Sequence, residues 1–183
     1  VPKLVEKWRF PPRGSKQKLG AFHATPVVVN GFVYACSARQ GVLYKLSPAG
    51  KLVWKFEVPP QKIKYQAEPT EEMPIPITEA GLIGWKIANS PLVTAEHVFL
   101  ATVDGQIFCL DRFSGKPVWA LNTRKCPVPA PHIGNSIWSS PILADGKLIV
   151  AGGAMEQGLA VDSNYPCCSG RGWVVALEPR SGQ

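Results

Sequence analysis

The sequence predicts an all-β chain built from repeated four-stranded antiparallel units, and three observations carry the prediction. The first is self-similarity: "TPVVVNGFVYACSARQGVLYKLSPAGKLVWKF" aligns with "SPLVTAEHVFLATVDGQIFCLDRFSGKPVWAL", and both Pro26 to Trp54 and Pro91 to Trp119 span 28 residues. The second is local alternation, as in Val42, Tyr44 and Leu46 against Leu43 and Lys45, within runs rich in Val, Ile, Tyr, Phe and Trp. The third is punctuation. Eighteen prolines and seventeen glycines break the chain into short pieces, and Asn30-Gly31 is a strong hairpin signal because both residues tolerate positive φ. Four-stranded units recurring about every 50–65 residues point to a β-propeller. No unit sustains the 3.6-residue apolar period of a helical solenoid.

Taken in order, "EKWRF" supplies Trp8 as the end of a preceding unit. The first unit has strands expected near 26–29, 32–36, 42–46 and 52–57, separated by "NG", "ARQG" and "SPAGK". A third unit starts at "SSPILADGKLIVAGG", is interrupted, and resumes as "RGWVVALEPRSGQ". Gly105 to Gly115 and Gly172 to Gly182 are each ten residues, so a further Trp is expected three residues beyond Gln183. Residues 1–183 therefore read as one partial propeller, with blades near 21–57, 88–121 and 136–183. Closed rings need about four blades or more. An open one exposes strand edges and half a core. The expectation is a piece of a longer chain, whose remaining blades come from the parent chain or from other subunits.

The formal charge is +7, but Lys and Arg are scattered apart from "PPRGSKQK" and "KIKY". With no helix-turn-helix, zinc-finger or RNA-binding signature, a nucleic-acid partner is not expected. No apolar run approaches the roughly 18 residues of a membrane span. The five cysteines form neither CxxC nor CxxCH, which weighs against a zinc ribbon and a covalently attached haem. Cys36 and Cys109 lie in apolar strand-like runs and read as buried free thiols. His23, His97 and His132 have no metal spacing.

Strand direction sorts the connections. In an antiparallel unit, the one-to-two and three-to-four turns share one end, and the two-to-three and four-to-next connections share the other. The short turns Asn30-Gly31, Asp145-Gly146, "SPAGK" and "RFSGK" fall at the first end. The long insertions, 58–88, 120–138 and 154–171, all fall at the second. An elaborated end on a rigid scaffold is where binding concentrates; covering a blade or meeting a neighbouring subunit is the alternative use of such loops.

At this point the residues carry a family resemblance. "DGQIFCLDRFSGKPVW" resembles the tryptophan-docking repeat of quinoprotein, or PQQ-type, propellers, and "NYPCCSGRGWVVALEPRSG" resembles the polyvinyl-alcohol-dehydrogenase-like branch. The resemblance covers nearly the whole chain. It implies a parent that is a pyrroloquinoline quinone (PQQ)- and calcium-dependent alcohol dehydrogenase, periplasmic or secreted. Such a parent oxidises a small alcohol and passes electrons to an acceptor such as a cytochrome c. The same repeat also builds cofactor-free propellers that scaffold membrane-protein assembly, so a non-catalytic docking module is the competing reading. This segment alone is not expected to be catalytic.

The resemblance also implies roles for particular residues. Cys167 and Cys168 would form a vicinal disulfide ring against the quinone; two reduced thiols, or Cys126 paired with one of them, are the alternatives. Adjacent Cα atoms about 3.8 Å apart make such a ring strained. Glu156, in "VAGGAMEQG", would be a calcium ligand, hard oxygen suiting that ion, or else a solvated loop acid. Arg171 would meet a cofactor carboxylate, or pair with Glu178 or solvent. Trp138 stands where these dehydrogenases tend to carry a quinone-bonding Thr, with Ser139 and Ser140 following. Trp138 and Ser139 are therefore the expected cofactor contacts on the inner strand, with blade packing as the other use of Trp138. The catalytic Asp base and the other calcium ligands of the family belong to later blades.

Overall fold

A computed structural model describes residues 3–60, 66–67, 77–78, 81–82, 85–127, 135–154, 163–164 and 170–183. The first sheet runs in sequence order: β1 (Val27–Val29), β2 (Phe32–Ser37), β3 (Val42–Leu46) and β4 (Leu52–Glu57). Within 58–88, three two-residue strands, β5 (Gln66–Ala67), β6 (Ile77–Thr78) and β7 (Gly81–Leu82), make a small sheet where the sequence had suggested only loop. The second large sheet holds β8 (Leu92–Val93), β9 (His97–Ala101), β10 (Gln106–Asp111) and β11 (Pro117–Asn122), again paired in order. In the third, β12 (Asn135–Ser136) and β13 (Ile142–Ala144) both pair β14 (Lys147–Ala154), and β15 (Trp173–Leu177) pairs β14 as well. All pairings are antiparallel, and no helix occurs among the described residues. The sheets form successive propeller blades that do not close into a ring.

Two hairpins have the expected chemistry. Asn30 and Gly31 adopt φ of 51° and 77°, and Asp145 and Gly146 adopt 47° and 73°. These are the left-handed pairs that suit tight turns between twisted strands.

The blades stack face to face. Tyr34, Cys36, Leu43 and Phe56 of the first pack on Val98, Leu100, Phe108 and Leu110 of the second, with the Phe56 and Phe108 rings 5.1 Å apart. From the opposite face of the second blade, Phe99, Ala101, Ile107 and Cys109 meet Ile137, Leu148, Val150 and Val175 of the third. Each fully buried side chain of this size contributes about 1.5–3 kcal/mol. Sandwiching changes the burial expected of an alternating strand: all five residues of β3 are buried, Lys45 included. Lys45 Nζ donates to the Arg112 carbonyl (2.8 Å), 4.8 Å from the centre of the Phe32 ring and 5.8 Å from that of Trp54. Its charge is held by a carbonyl and aromatic faces in place of water.

Tryptophans lock one blade to the next. Trp54 lies on Gly115 so closely that a Cβ there would fall 2.6 Å from the indole; its Nε1 donates to the Arg112 carbonyl (3.1 Å). Trp119 repeats the arrangement on Gly182, donating to the Pro179 carbonyl (2.9 Å), and Trp8 sits on Gly50. The three glycines occupy equivalent turns with φ of 71–74°. At the inner ends, Ser90 N–H donates to Ser140 Oγ (3.0 Å), and Ser90 Oγ donates to the Thr25 carbonyl (2.9 Å). Three blades are thereby tied through equivalent residues, each preceding a proline.

Two predictions follow from this packing. Gly115→Ala should destabilise the protein by about 3 kcal/mol, combining the positive-φ penalty with the clash on Trp54. Gly146→Ala, equally left-handed but with nothing near its added Cβ, should cost only about 1 kcal/mol. Urea unfolding midpoints measure the difference, and equal costs would remove the indole seat from the account. The second prediction concerns the thiols. Burial pushes both Cys36 and Cys109 up to about 12, with Asp111 adding to the effect at Cys109. A thiol must ionise to react, so both should resist a disulfide reagent at pH 8 while half-buried Cys126 is labelled. Because the folded values are raised, the stability they represent is present below the unfolded thiol pKa of about 8.5. It is lost as pH climbs from there toward 12, which a pH series of unfolding midpoints would reveal.

Candidate functional site

The third blade carries a shallow cavity of about 260 Å³ lined by Ser136, Trp138, Ser139, Ala151, Gly152 and Gly153. Its position follows from strand direction. Ser136 emerges from the 120–138 connection, and Gly153 leads into the 154–171 connection, so the cavity opens at the elaborated end. Two small residues on β14 make the room. A Cβ on Gly153 would meet nothing nearer than the Gly172 backbone at 3.9 Å, leaving that side of the strand open. Gly152 is the tight counterpart: a Cβ there would collide with Trp173 at 2.4 Å and the Ser136 carbonyl at 2.5 Å.

Polar capacity in the cavity is only partly used. Ser139 Oγ donates to the Ala151 carbonyl (2.5 Å), pinning the inner strand to β14. Among the described residues, Ser136, 1% exposed, has no partner for its hydroxyl, and Trp138 Nε1 also has none. An unmet buried polar atom ordinarily costs about 1–3 kcal/mol, so two on one cavity wall suit a ligand that accepts hydrogen bonds. Neighbouring Asn89 spends its Nδ2 on the Ile137 carbonyl (3.3 Å), which fixes the backbone just before Trp138.

The residues singled out from the sequence divide into two groups. Trp138 and Ser139 come together on this wall. Arg171 is exposed and outside the cavity lining, two residues ahead of Trp173, which faces Gly152 across the ladder; its Nη1 donates to the Gly170 carbonyl (3.0 Å). Glu178, weighed as a partner for Arg171, pairs with Lys147 at 2.8 Å. Glu156, Cys167 and Cys168 lie outside the described residues. Among the described residues, Cys36, Cys109 and Cys126 are free thiols.

Sequence reasoning missed Ser136, Trp85 and His23. Trp85 lies 5.9 Å from Trp138, ring centre to ring centre, with the planes at 32°. His23 meets Trp85 edge-on at 4.6 Å. All three rings stand just before the inner strand of a blade, at the elaborated end. For His23 the repeated Ser/Thr-Pro step was the available signal, since His23 precedes Pro26 by three residues as Trp138 precedes Pro141; Trp85 and Ser136 fall at other offsets and carried no such mark.

Comparison with known proteins agrees with this architecture. The chain is 26% identical over 162 residues to the quinohemoprotein alcohol dehydrogenase ADH-IIG of Pseudomonas putida, covering 87% of this chain and 18% of that protein. It is 25% identical over 186 residues to a polyvinylalcohol dehydrogenase from a Pseudomonas species, covering all of this chain and 24% of the relative. The crystal structure of quinohemoprotein alcohol dehydrogenase from Comamonas testosteroni superposes with a TM-score of 0.61 at 20% identity, over 90% of this chain and 20% of that one. The chain thus spans about a fifth of the length of the relatives it matches. The sequence profile of the PQQ_2 family, described as "Outer membrane protein assembly factor BamB", matches residues 6–183. With its tryptophan-docked blades and a match over almost its full length, this chain belongs to that PQQ-repeat family.

Proposed function

We propose that the chain is the part of a PQQ-dependent alcohol dehydrogenase that supplies one wall of the quinone pocket. The observation that carries the reading is the cavity on the third blade, with an indole face and two unmet polar atoms on one side. At about 260 Å³ it lies just under the usual range of ligand sites, roughly 300–1,000 Å³, as suits one wall of a larger site. A flat, oxygen-rich quinone fits these donors. The Trp138 ring offers a stacking surface, while Ser136 Oγ and Trp138 Nε1 offer hydrogen bonds to carbonyl or carboxylate oxygens. The guanidinium of Arg171 supplies positive charge suited to a carboxylate. Cys167 and Cys168 would form a vicinal ring bordering the pocket, and Glu156 would contribute an oxygen ligand to calcium. When bound, such a quinone supplies the acceptor for the hydride equivalent of an alcohol. The role of this chain is to bind it, orient it and keep one face dry. A small alcohol as substrate, a cytochrome c as external acceptor and an oxidising, periplasmic setting complete the reading.

The family description favours a second reading, a propeller that docks other proteins and leaves the cavity without a cofactor. The exposed Ile142, Leu143 and Val174 on the third blade would then serve protein contacts.

The test is the visible spectrum of the intact natural protein after mixing with PQQ and calcium and desalting. A retained quinone band is expected, with affinity at least about tenfold weaker in Cys168→Ser and in Trp138→Ala, the scale of one lost contact. Titrating thiols in denaturant without reductant should find three of the five if Cys167 and Cys168 are bridged. A protein that retains no quinone, with five titratable thiols, would leave the docking reading in place.

A further inference from the structure

The aromatic pair Trp85–Trp138 spans two blades and is held from both sides by the backbone framework. Trp85 immediately precedes a clamp in which the N–H groups of Lys86 (2.8 Å) and Ile87 (3.2 Å) both donate to the Ala38 carbonyl of the first blade. The Lys86 carbonyl accepts from Val103 N–H of the second blade at 2.9 Å. Gly41 allows the Lys86 side chain to lie against the chain, since a Cβ there would fall 2.5 Å from it. On its far side, Trp85 is braced by the edge of His23, whose Nδ1 lies 3.2 Å from the Ala88 carbonyl. Trp138 follows the fully buried Ile137, which is itself tied to Asn89. Its Nε1 has no hydrogen-bond partner among the described residues, so packing sets the angle of its indole there. The tilted contact with Trp85 supplies that packing.

We propose that Trp85 is a positioning residue for the quinone pocket: it fixes the plane of Trp138, so that the Trp138 indole meets a flat ligand in one orientation. The proposal rests on the quinone reading above. Pre-setting the ring lowers the ordering cost on binding, and a stack of this kind loses its advantage when the supporting neighbour can no longer hold the angle. Trp85 need not touch the ligand. His23 acts at one further remove, by limiting how far Trp85 can swing.

The experiment uses the intact natural protein and compares wild type with Trp85→Leu and Trp85→Phe. Two quantities are read with calcium saturating: the dissociation constant for PQQ, and the circular dichroism induced in the quinone's visible band. The induced signal depends on the angle between chromophore and neighbouring rings, and a merely structural role for Trp85 would leave it unchanged. Trp85→Leu should weaken PQQ binding about tenfold, the scale of one lost aromatic contact, and should reduce or invert the induced band. Trp85→Phe should restore affinity to within about threefold of wild type and recover most of the band. Wild-type affinity and an unchanged band in Trp85→Leu would overturn the proposal while leaving the quinone pocket intact. If the leucine variant does not fold, His23→Ala decides, because it removes only the ring that braces Trp85: an unchanged band overturns the proposal, and a reduced or inverted one supports it. Failure of the wild-type protein itself to bind PQQ would remove both the pocket reading and this one.

Discussion

Everything in this molecule depends on an indole lying flat on a glycine of the neighbouring blade. The contact works because the glycine occupies a left-handed turn position, where the absence of Cβ serves two ends at once. It permits the backbone conformation, and it lets a large aromatic surface approach the chain. At Trp54 and Trp119 the indole N–H then meets a carbonyl of the same turn, so the polar atom of a buried or half-buried ring is satisfied. At the Trp54 seat the same Arg112 carbonyl also receives Lys45 Nζ, so one oxygen joins two elements of the first blade to the second.

Because these locks and the short turns lie at one end of the blades, the other end is free to vary. The long connections, the cavity and the aromatic row all occur there. The serine chain through Ser140, Ser90 and Thr25 keeps the inner strands in place while their loops diverge. The wall of the site is therefore rigid even though its surroundings are the most elaborated part of the sequence. This is the arrangement expected where a scaffold positions chemistry without taking part in it.

The repeat made the fold legible before any coordinates. Strand period, the Asn30-Gly31 turn and the spacing from Pro to Trp all respond to local sequence, and the first blade has strands within one residue of those expected. Burial was less legible. Lys45 alternates with apolar residues and invites a solvent-facing assignment, yet it is enclosed, because its face of β3 meets the Arg112 turn of the second blade while residues Trp8, Phe10 and Leu19 cover the other face. The site was legible only where a motif marked it. Trp138 and Ser139 could be placed by their distance from a repeated proline. Trp85 belongs to a different repeat, at the end of a long insertion, and its partnership with Trp138 is a property of how two blades pack. Ser136 escaped notice because nothing local in a sequence signals that a hydroxyl will be buried without a partner.

The indole seat has a further consequence, for ancestry. The aromatic residue is donated forward, from one repeat to the turn of the next, so no repeat contains a complete lock. Duplicating or deleting one whole period of the chain therefore leaves every indole matched to a glycine, wherever within the period the breakpoints fall. Only changes that are not whole periods strand an unmatched partner. Such a rule lets blade number drift during evolution without inventing a new contact, and it confines novelty to the loops between the second and third strands and between blades.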